Sequence, residues 1–116
     1  MSEGKTIVIL FTGNGMGSTE AQDLREQLAI KFLRLLSESE ALPRVICFYT
    51  EGVKLACDGS PVLNQLQALE AQGVELVVDS TCLDYFGLRD QVRAGIVGGM
   101  LDILTAMQTA DSVITV

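Results

Sequence analysis

Short runs of apolar, mostly β-branched residues constrain this chain more than anything else in it. Ile7-Val8-Ile9-Leu10 and Val45-Ile46-Cys47-Phe48 are unbroken, and Val74–Val78 is interrupted only by Glu75. A strand with one wet face alternates apolar with polar side chains; an unbroken run leaves no face for water. Such strands belong in a sheet covered on both sides, which is how parallel sheets occur. The stretches between the runs are long enough for helices, so each pair of runs reads as a βαβ crossover.

The rest of the chain fits that frame. After Lys5–Phe11 the glycine-rich stretch Thr12–Gly17 breaks the first strand. Thr19 with Gln22 then has the spacing of a capping box, and Leu24, Leu28, Phe32, Leu35 and Leu36 recur at helical period, predicting a helix over 19–38 with Leu24, Leu28 and Phe32 in the core. Glu20, Asp23, Glu26, Lys31 and Arg34 fall on its wet side. Beyond Pro43, Arg44–Tyr49 is the second strand, and Val53–Cys57 is a short segment of unassigned shape. Ser60 as N-cap and Pro61 at the first helical position open a second helix, with Val62, Leu66 and Leu69 inward and Gly73 as its stop. Val74–Val78 is the third strand, Gly87–Gln91 a helical turn, and Arg93–Val97 a short fourth strand. The Met100–Met107 stretch forms a helix whose apolar face is expected in the core, and Ser112–Val116 is the last strand. The expectation is a single α/β domain over 1–116: three layers, α/β/α, around a mainly parallel sheet of roughly five strands.

Composition agrees. Of 116 residues, 48% are apolar but only 5% aromatic, so the core must be aliphatic. A chain of this size hides roughly two-thirds of its unfolded surface on folding, enough for one core. Eight basic residues against fifteen acidic ones give a net charge of -7, with the cations scattered singly. Nucleic acid is therefore not expected as a partner, whereas a basic protein is electrostatically easier. No segment reaches the roughly 20 apolar residues of a membrane helix. Ile7–Phe11 is too short for a secretory h-region. A cytoplasmic protein with three reduced thiols is expected. The sequence contains no histidine, which removes Ser/His/Asp and Cys/His nucleophile activation within one chain. Without histidine or a CxxC pair no metal site is expected, and no cofactor.

In an open parallel sheet, sites form in the loops beyond the carboxyl ends of the strands. Loops 12–18, 50–58 and 79–86 all fall there. Cys82 sits just past the third strand and before the 87–91 turn, where backbone N–H groups would favour a thiolate, while Asp79 and Asp84 would raise the thiol pKa. From position alone Cys82 is either a nucleophile or a loop residue without duty. Cys57 reads either as a second sulfur acceptor or resolving thiol, or as an incidental surface cysteine. Cys47, mid-strand, belongs to the core. Gly13-x-Gly15-x-Gly17, with Asn14, follows a strand and opens a helix; it is either an anion-binding loop, with Lys54 as the nearest cation, or a tight connection needing positive φ. Val92, Ile96, Val97 and Met100 carry surplus apolar surface suited to a subunit interface.

One segment is recognisable. Thr81-Cys82-Leu83-Asp84-Tyr85-Phe86-Gly87-Leu88 resembles the "TCLDYYGL" stretch of DsrE-like domains, most of all the C-terminal domain of YedF-type selenium-metabolism proteins. Phe48–Leu55 resembles the family's "FYNxGVKL", Gly17 its early "MG", and Asp111–Val116 its terminal "ADxVITV". The sequence departs from the pattern at Thr50, where Asn is common, at Ser80, where Gly is common, and at Gly98-Gly99, where a polar residue is usual before Met100. The resemblance implies a three-layer α/β/α fold, homo- or hetero-oligomers, and a persulfide-carrying role that maps onto Cys82 alone, with Asp84 and Tyr85 beside it. YedF-type proteins pair such a domain with a TusA-like domain bearing a Cys-Pro motif. This sequence has no Cys-Pro, so a separate TusA-like sulfur carrier is the implied donor or acceptor.

The expected function is thus a sulfur (or selenium) relay, with sulfane sulfur held on Cys82. Two alternatives stand beside it: a module binding a small anion or nucleotide at loop 12–18, and a non-catalytic subunit of an oligomeric complex.

Overall fold

A computed structural model describes residues 5–116. Five strands, β1 (Ile7–Phe11), β2 (Val45–Phe48), β3 (Glu75–Asp79), β4 (Ile96–Gly98) and β5 (Ser112–Thr115), form one sheet in the order β4-β3-β2-β1-β5. All four neighbouring pairs are parallel, for example Leu10 opposite Cys47 and Cys47 opposite Val77. Four α-helices connect them: α1 (Gln22–Glu38), α2 (Leu63–Ala71), α3 (Ser80–Phe86) and α4 (Met100–Thr109), with 3-10 turns at Thr50–Ala56 and Arg89–Gln91. The expected three-layer α/β/α fold is the observed one.

The unbroken apolar runs have the predicted cause. Ile9, Phe11, Ile46, Phe48, Leu76 and Val78 point to one face, where Ala29 and Leu33 of α1, Val62, Leu66 and Leu69 around α2, and Leu83 of α3 cover them. Their alternates Val8, Leu10, Val45, Cys47 and Val77 point to the other, beneath Ile103 and Ala106 of α4. A period of two on a doubly covered sheet requires apolar residues at every position. Phe11 and Phe48, neighbours across the β1–β2 pair, stack at 5.7 Å, and Phe32 meets Phe11 edge-on at 6.2 Å.

Several local expectations need correction. The helix begins at Gln22 rather than at 19; its N-cap is Ala21, and Thr19 Oγ1 accepts from Ala21 N–H instead of closing a capping box. The buried stripe of α1 is Ala29 and Leu33, with Phe32 partly buried, whereas Leu24, Leu28 and Leu35 stay exposed. Leu28 and Ala29 are adjacent, and it is the smaller residue that packs against the sheet. Ser60 does not cap α2: its hydroxyl accepts from Val62 N–H in a turn, and the helix starts at Leu63. The fourth strand lies at Ile96–Gly98, displaced from 93–97. The outer face of α4 is not core either, since Met100, Leu101 and Leu104 are exposed and Met107 is only partly buried.

Among the described residues, no helix is long and apolar enough to cross a membrane.

Candidate functional site

Because every strand runs the same way, the loops after β1, β2 and β3 gather at one edge of the sheet. The site is built there, and its centre is the junction of β3 with α3.

That junction has no loop. Asp79 ends β3 and is at once the N-cap of α3, with its Oδ2 accepting the Cys82 N–H at 3.0 Å. Asp is among the best N-cap residues because its carboxylate satisfies one of the orphaned first-turn N–H groups. Cys82 is therefore inside the first turn of a helix, not in a loop ahead of the turn at 87–91. The helix closes at Gly87, whose φ of 68° is the left-handed conformation that glycine adopts without penalty. The Cys82 N–H is thus taken by Asp79 and is not free for a thiolate. In its place the backbone N–H of Thr50 donates to Cys82 Sγ at 3.1 Å.

Thr50 is brought there by an unusual backbone. It alone among the non-glycine residues described has a positive φ, 49°. A β-branched residue is disfavoured in that region, whereas Asn is enriched there. The Thr50 hydroxyl has the carbonyls of Thr12 and Tyr49 both within reach of its single O–H donor. Gly52 follows with the chain pressed onto β1: a Cβ there would stand 2.1 Å from the carbonyl oxygen of Phe11. Only glycine allows this approach, and it holds the 3-10 turn against the sheet.

Thr50, Glu51, Thr81, Tyr85 and Phe86 surround Cys82 in an open pocket of about 330 Å³. Tyr85 is 84% exposed, and its ring meets Phe86 edge-on at 5.2 Å. Lys54 places its ammonium 4.5 Å from the centre of the Phe86 ring. Asp84 turns away from the thiol and holds Arg89 through two contacts of 2.9 and 2.7 Å. This pairing keeps its carboxyl below the usual range.

The thiol itself is pushed up. Burial is the largest cause, the Asp79 carboxylate as acceptor for the thiol proton adds to it, the Thr50 N–H works the other way, and the charges of Asp79 and Glu51 raise it further. Of the two aspartates expected to act on Cys82, Asp79 does, and Asp84 is neutralised by Arg89.

The other cysteines differ in kind. Cys47 is fully buried, and its thiol is pushed up to about 11, by burial first and Glu75 second. Cys57 is not a surface cysteine: it is 3% exposed and its thiol donates to the Val53 carbonyl at 3.2 Å. It does not line the Cys82 pocket. Burial raises its pKa as well, against a lowering by Arg93.

The glycine loop has both positive-φ residues expected of a tight connection, Gly15 at 142° and Gly17 at 80°. Gly13 has an ordinary φ, but a Cβ there would meet the Arg25 guanidinium. The loop is pinned to α1 by Met16 N–H on the Arg25 carbonyl and by the Gln22 amide on the Asn14 carbonyl. Thr12, Gly13, Asn14, Gly17, Arg25, Glu51 and Lys54 help line an open hollow of about 730 Å³, next to the Cys82 pocket through their shared Glu51. Sequence reasoning missed Arg25, which looks like any solvated helix residue, and Thr50 as a donor to sulfur. Asp79 had a readable signal: Asp-Ser-Thr-Cys after a strand has the form of an N-cap and the third helical residue.

A parallel α/β/α sheet with a lone accessible cysteine at its carboxyl edge defines a small-domain class in which a thiol is presented by a strand-to-helix junction. The chain belongs to the DsrE/DsrF-like family, whose model matches residues 5–116. Among solved structures it is similar to the ychN protein of E. coli (21% identity, TM-score 0.70, covering 97% of this chain and 100% of that one). It is equally similar in fold to MTH1491, a protein of unknown function from Methanobacterium thermoautotrophicum (19% identity, TM-score 0.70, 97% and 100% covered). BT1422 of Bacteroides thetaiotaomicron, a conserved protein of unknown function, follows at 13% identity and a TM-score of 0.67, with 97% and 95% covered. At these identities the likeness is one of fold. No curated protein matches the sequence significantly.

Proposed function

We propose that this chain is a sulfur-relay subunit that holds sulfane sulfur, or its selenium counterpart, as a persulfide on Cys82. Membership in the DsrE/DsrF-like family supports a relay-type role. The observation that supports the assignment to one residue is the contrast among the three thiols: Cys47 and Cys57 are buried, and Cys82 alone is partly exposed, in a pocket at the carboxyl edge of the sheet. In the relay, the Cys82 sulfur attacks the outer sulfur of a donor persulfide, and the donor's inner sulfur leaves as a thiol. An acceptor thiol then takes the outer sulfur from Cys82 by the same displacement. The Thr50 N–H, already on Sγ, is placed to stabilise negative charge on the sulfur through both steps.

Within the family, the segment 81–88 favours kinship with the YedF-type C-terminal domain, and hence a TusA-like carrier as donor or acceptor. The pocket opening, with a nearly free Tyr85 ring and the acidic Glu51 on an acidic chain, suits a protein partner with basic surface around its own thiol. The exposed apolar surface of β4 and α4 favours an oligomer.

The experiment is peptide mass spectrometry after incubation with a persulfide donor. The Cys82 peptide gains one sulfur atom and Cys82→Ser gains none; a Cys82→Ser chain that still loads to the wild-type extent contradicts the assignment.

A further inference from the structure

Four charged side chains, Glu20, Arg25, Glu51 and Lys54, border the hollow of about 730 Å³ between the glycine loop and the 3-10 turn. None of them enters an ion pair among the described residues, where the pairs are Arg89 with Asp84 and Arg93 with Asp58. Arg25 is the most constrained of the four. Its Nε is sealed from solvent with no hydrogen-bond partner, so the guanidinium has lost water on one side and gained no protein acceptor in exchange. The loop is also shaped around it. Gly13 has an ordinary φ, yet a Cβ there would overlap the guanidinium, and the Arg25 carbonyl accepts the Met16 N–H.

The hollow adjoins the thiol. Glu51 borders both it and the Cys82 pocket, and Lys54 stands 4.5 Å from the centre of the Phe86 ring that lines the same pocket. The charges then select the occupant. A polyanion such as a nucleotide meets Glu20 and Glu51, and a simple cation meets Arg25 and Lys54. A zwitterion satisfies both pairs.

We propose that this hollow binds the α-amino-acid end of a low-molecular-weight thiol, with the carboxylate on Arg25 and Lys54, the ammonium on Glu51, and the sulfur directed to Cys82. The planar guanidinium matches a carboxylate with two parallel hydrogen bonds. This deepens the carrier reading and rests on it: one partner of the relay is a small molecule, and the protein carrier is the other. The transfer balances. The Cys82 thiol and the small persulfide give the Cys82 persulfide and the small free thiol. The bond from Sγ to the outer sulfur forms and the donor's S–S bond breaks. Its electron pair leaves on the inner sulfur, which takes up a proton as the Cys82 thiol releases one. No oxidant or reductant enters.

Binding is read apart from transfer by calorimetry on the full-length Cys82→Ser chain, with S-methylcysteine and S-methylglutathione as probes that cannot give up sulfur. Saturable binding is expected, and adding Arg25→Gln weakens it by about tenfold or more, the size of a lost charge-assisted pair. N-acetyl-S-methylcysteine, which has the carboxylate but no ammonium, binds more weakly than S-methylcysteine. The tighter of the two probes names the source, a free amino acid or a γ-glutamyl peptide. No saturable binding of either probe at millimolar concentration overturns the proposal, as does equal binding by Arg25→Gln or equal binding of the acetylated probe. Two further readings guard against an Arg25→Gln chain that fails to fold. Lys54→Gln weakens binding in the same direction, and on the wild type S-methylglutathione slows the loading of Cys82 from glutathione persulfide. Absence of both effects also overturns it. A wild type that gains no sulfur at Cys82 defeats the carrier reading even if the probes bind. Normal gain at Cys82 without probe binding defeats the role of the hollow alone.

Discussion

At the scale of single residues, three backbone and side-chain groups decide what Cys82 can do: the Asp79 carboxylate, the Thr50 N–H and the Glu51 carboxylate. Two of them oppose ionisation, so the resting thiol is protected from adventitious electrophiles at neutral pH. Glu51→Gln removes one negative charge without touching the cap of α3. The thiolate is then less disfavoured and the pKa falls. Alkylation of Cys82 near pH 7 should therefore rise by roughly two- to fivefold, with the whole rate profile moved to lower pH, as a partly exposed charge acting through solvent would give. A rate unchanged across the profile would remove Glu51 from the electrostatics of the site. The position of Cys82 at the carboxyl edge of the sheet was legible in the sequence; the direction of its pKa shift was not. It depended on which aspartate faces the sulfur, and the pairing of Asp84 with Arg89 turns on a rotamer that sequence spacing leaves open.

At the scale of elements, the site is a consequence of two abrupt junctions. β3 passes into α3 with no intervening loop, and the turn after β2 is pressed onto β1 through Gly52. Gly52→Ala forces a Cβ against backbone that cannot move aside, so it should cost at least about 2 kcal/mol in denaturant unfolding and also lower Cys82 transfer by displacing Thr50. A variant of wild-type stability would show that the turn can lift from β1 freely. The strands were readable because each is apolar on both faces, and that pattern survives any detail of the connections. Helix faces were less so. In α1 the rows Leu24-Leu28-Leu35 and Ala29-Leu33 are both apolar at helical period, and periodicity alone does not choose between them. The caps failed for a related reason: Thr19 and Ser60 have the right chemistry, but their hydroxyls are satisfied locally in turns one or two residues before the helices begin.

At the scale of the molecule, the two faces of the sheet are unequally covered. Three helices and the 3-10 turn seal one face, while α4 alone lies over the other and leaves Ile96, Val97, Met100, Leu101 and Leu104 in solvent, Leu101 at 74% exposure. This apolar surface runs from the edge strand β4 onto α4, away from the Cys82 pocket, so an assembly built on it would leave the thiols open to a partner. Leu101→Glu, an exposed position that costs the fold nothing measurable, should shift the chain to smaller species in sedimentation velocity while leaving Cys82 alkylation unchanged. A wild type that already sediments as a monomer at high concentration would assign the patch to something else.

The central claim, that Cys82 alone carries sulfur, is tested most directly by mass spectrometry of the intact chain and its peptides after exposure to a persulfide donor. The account predicts a gain of one sulfur on the peptide containing Cys82, reversed by an acceptor thiol and absent in Cys82→Ser. Equal gain on the peptides of Cys47, Cys57 and Cys82, or full gain in the Cys82→Ser chain, would contradict it.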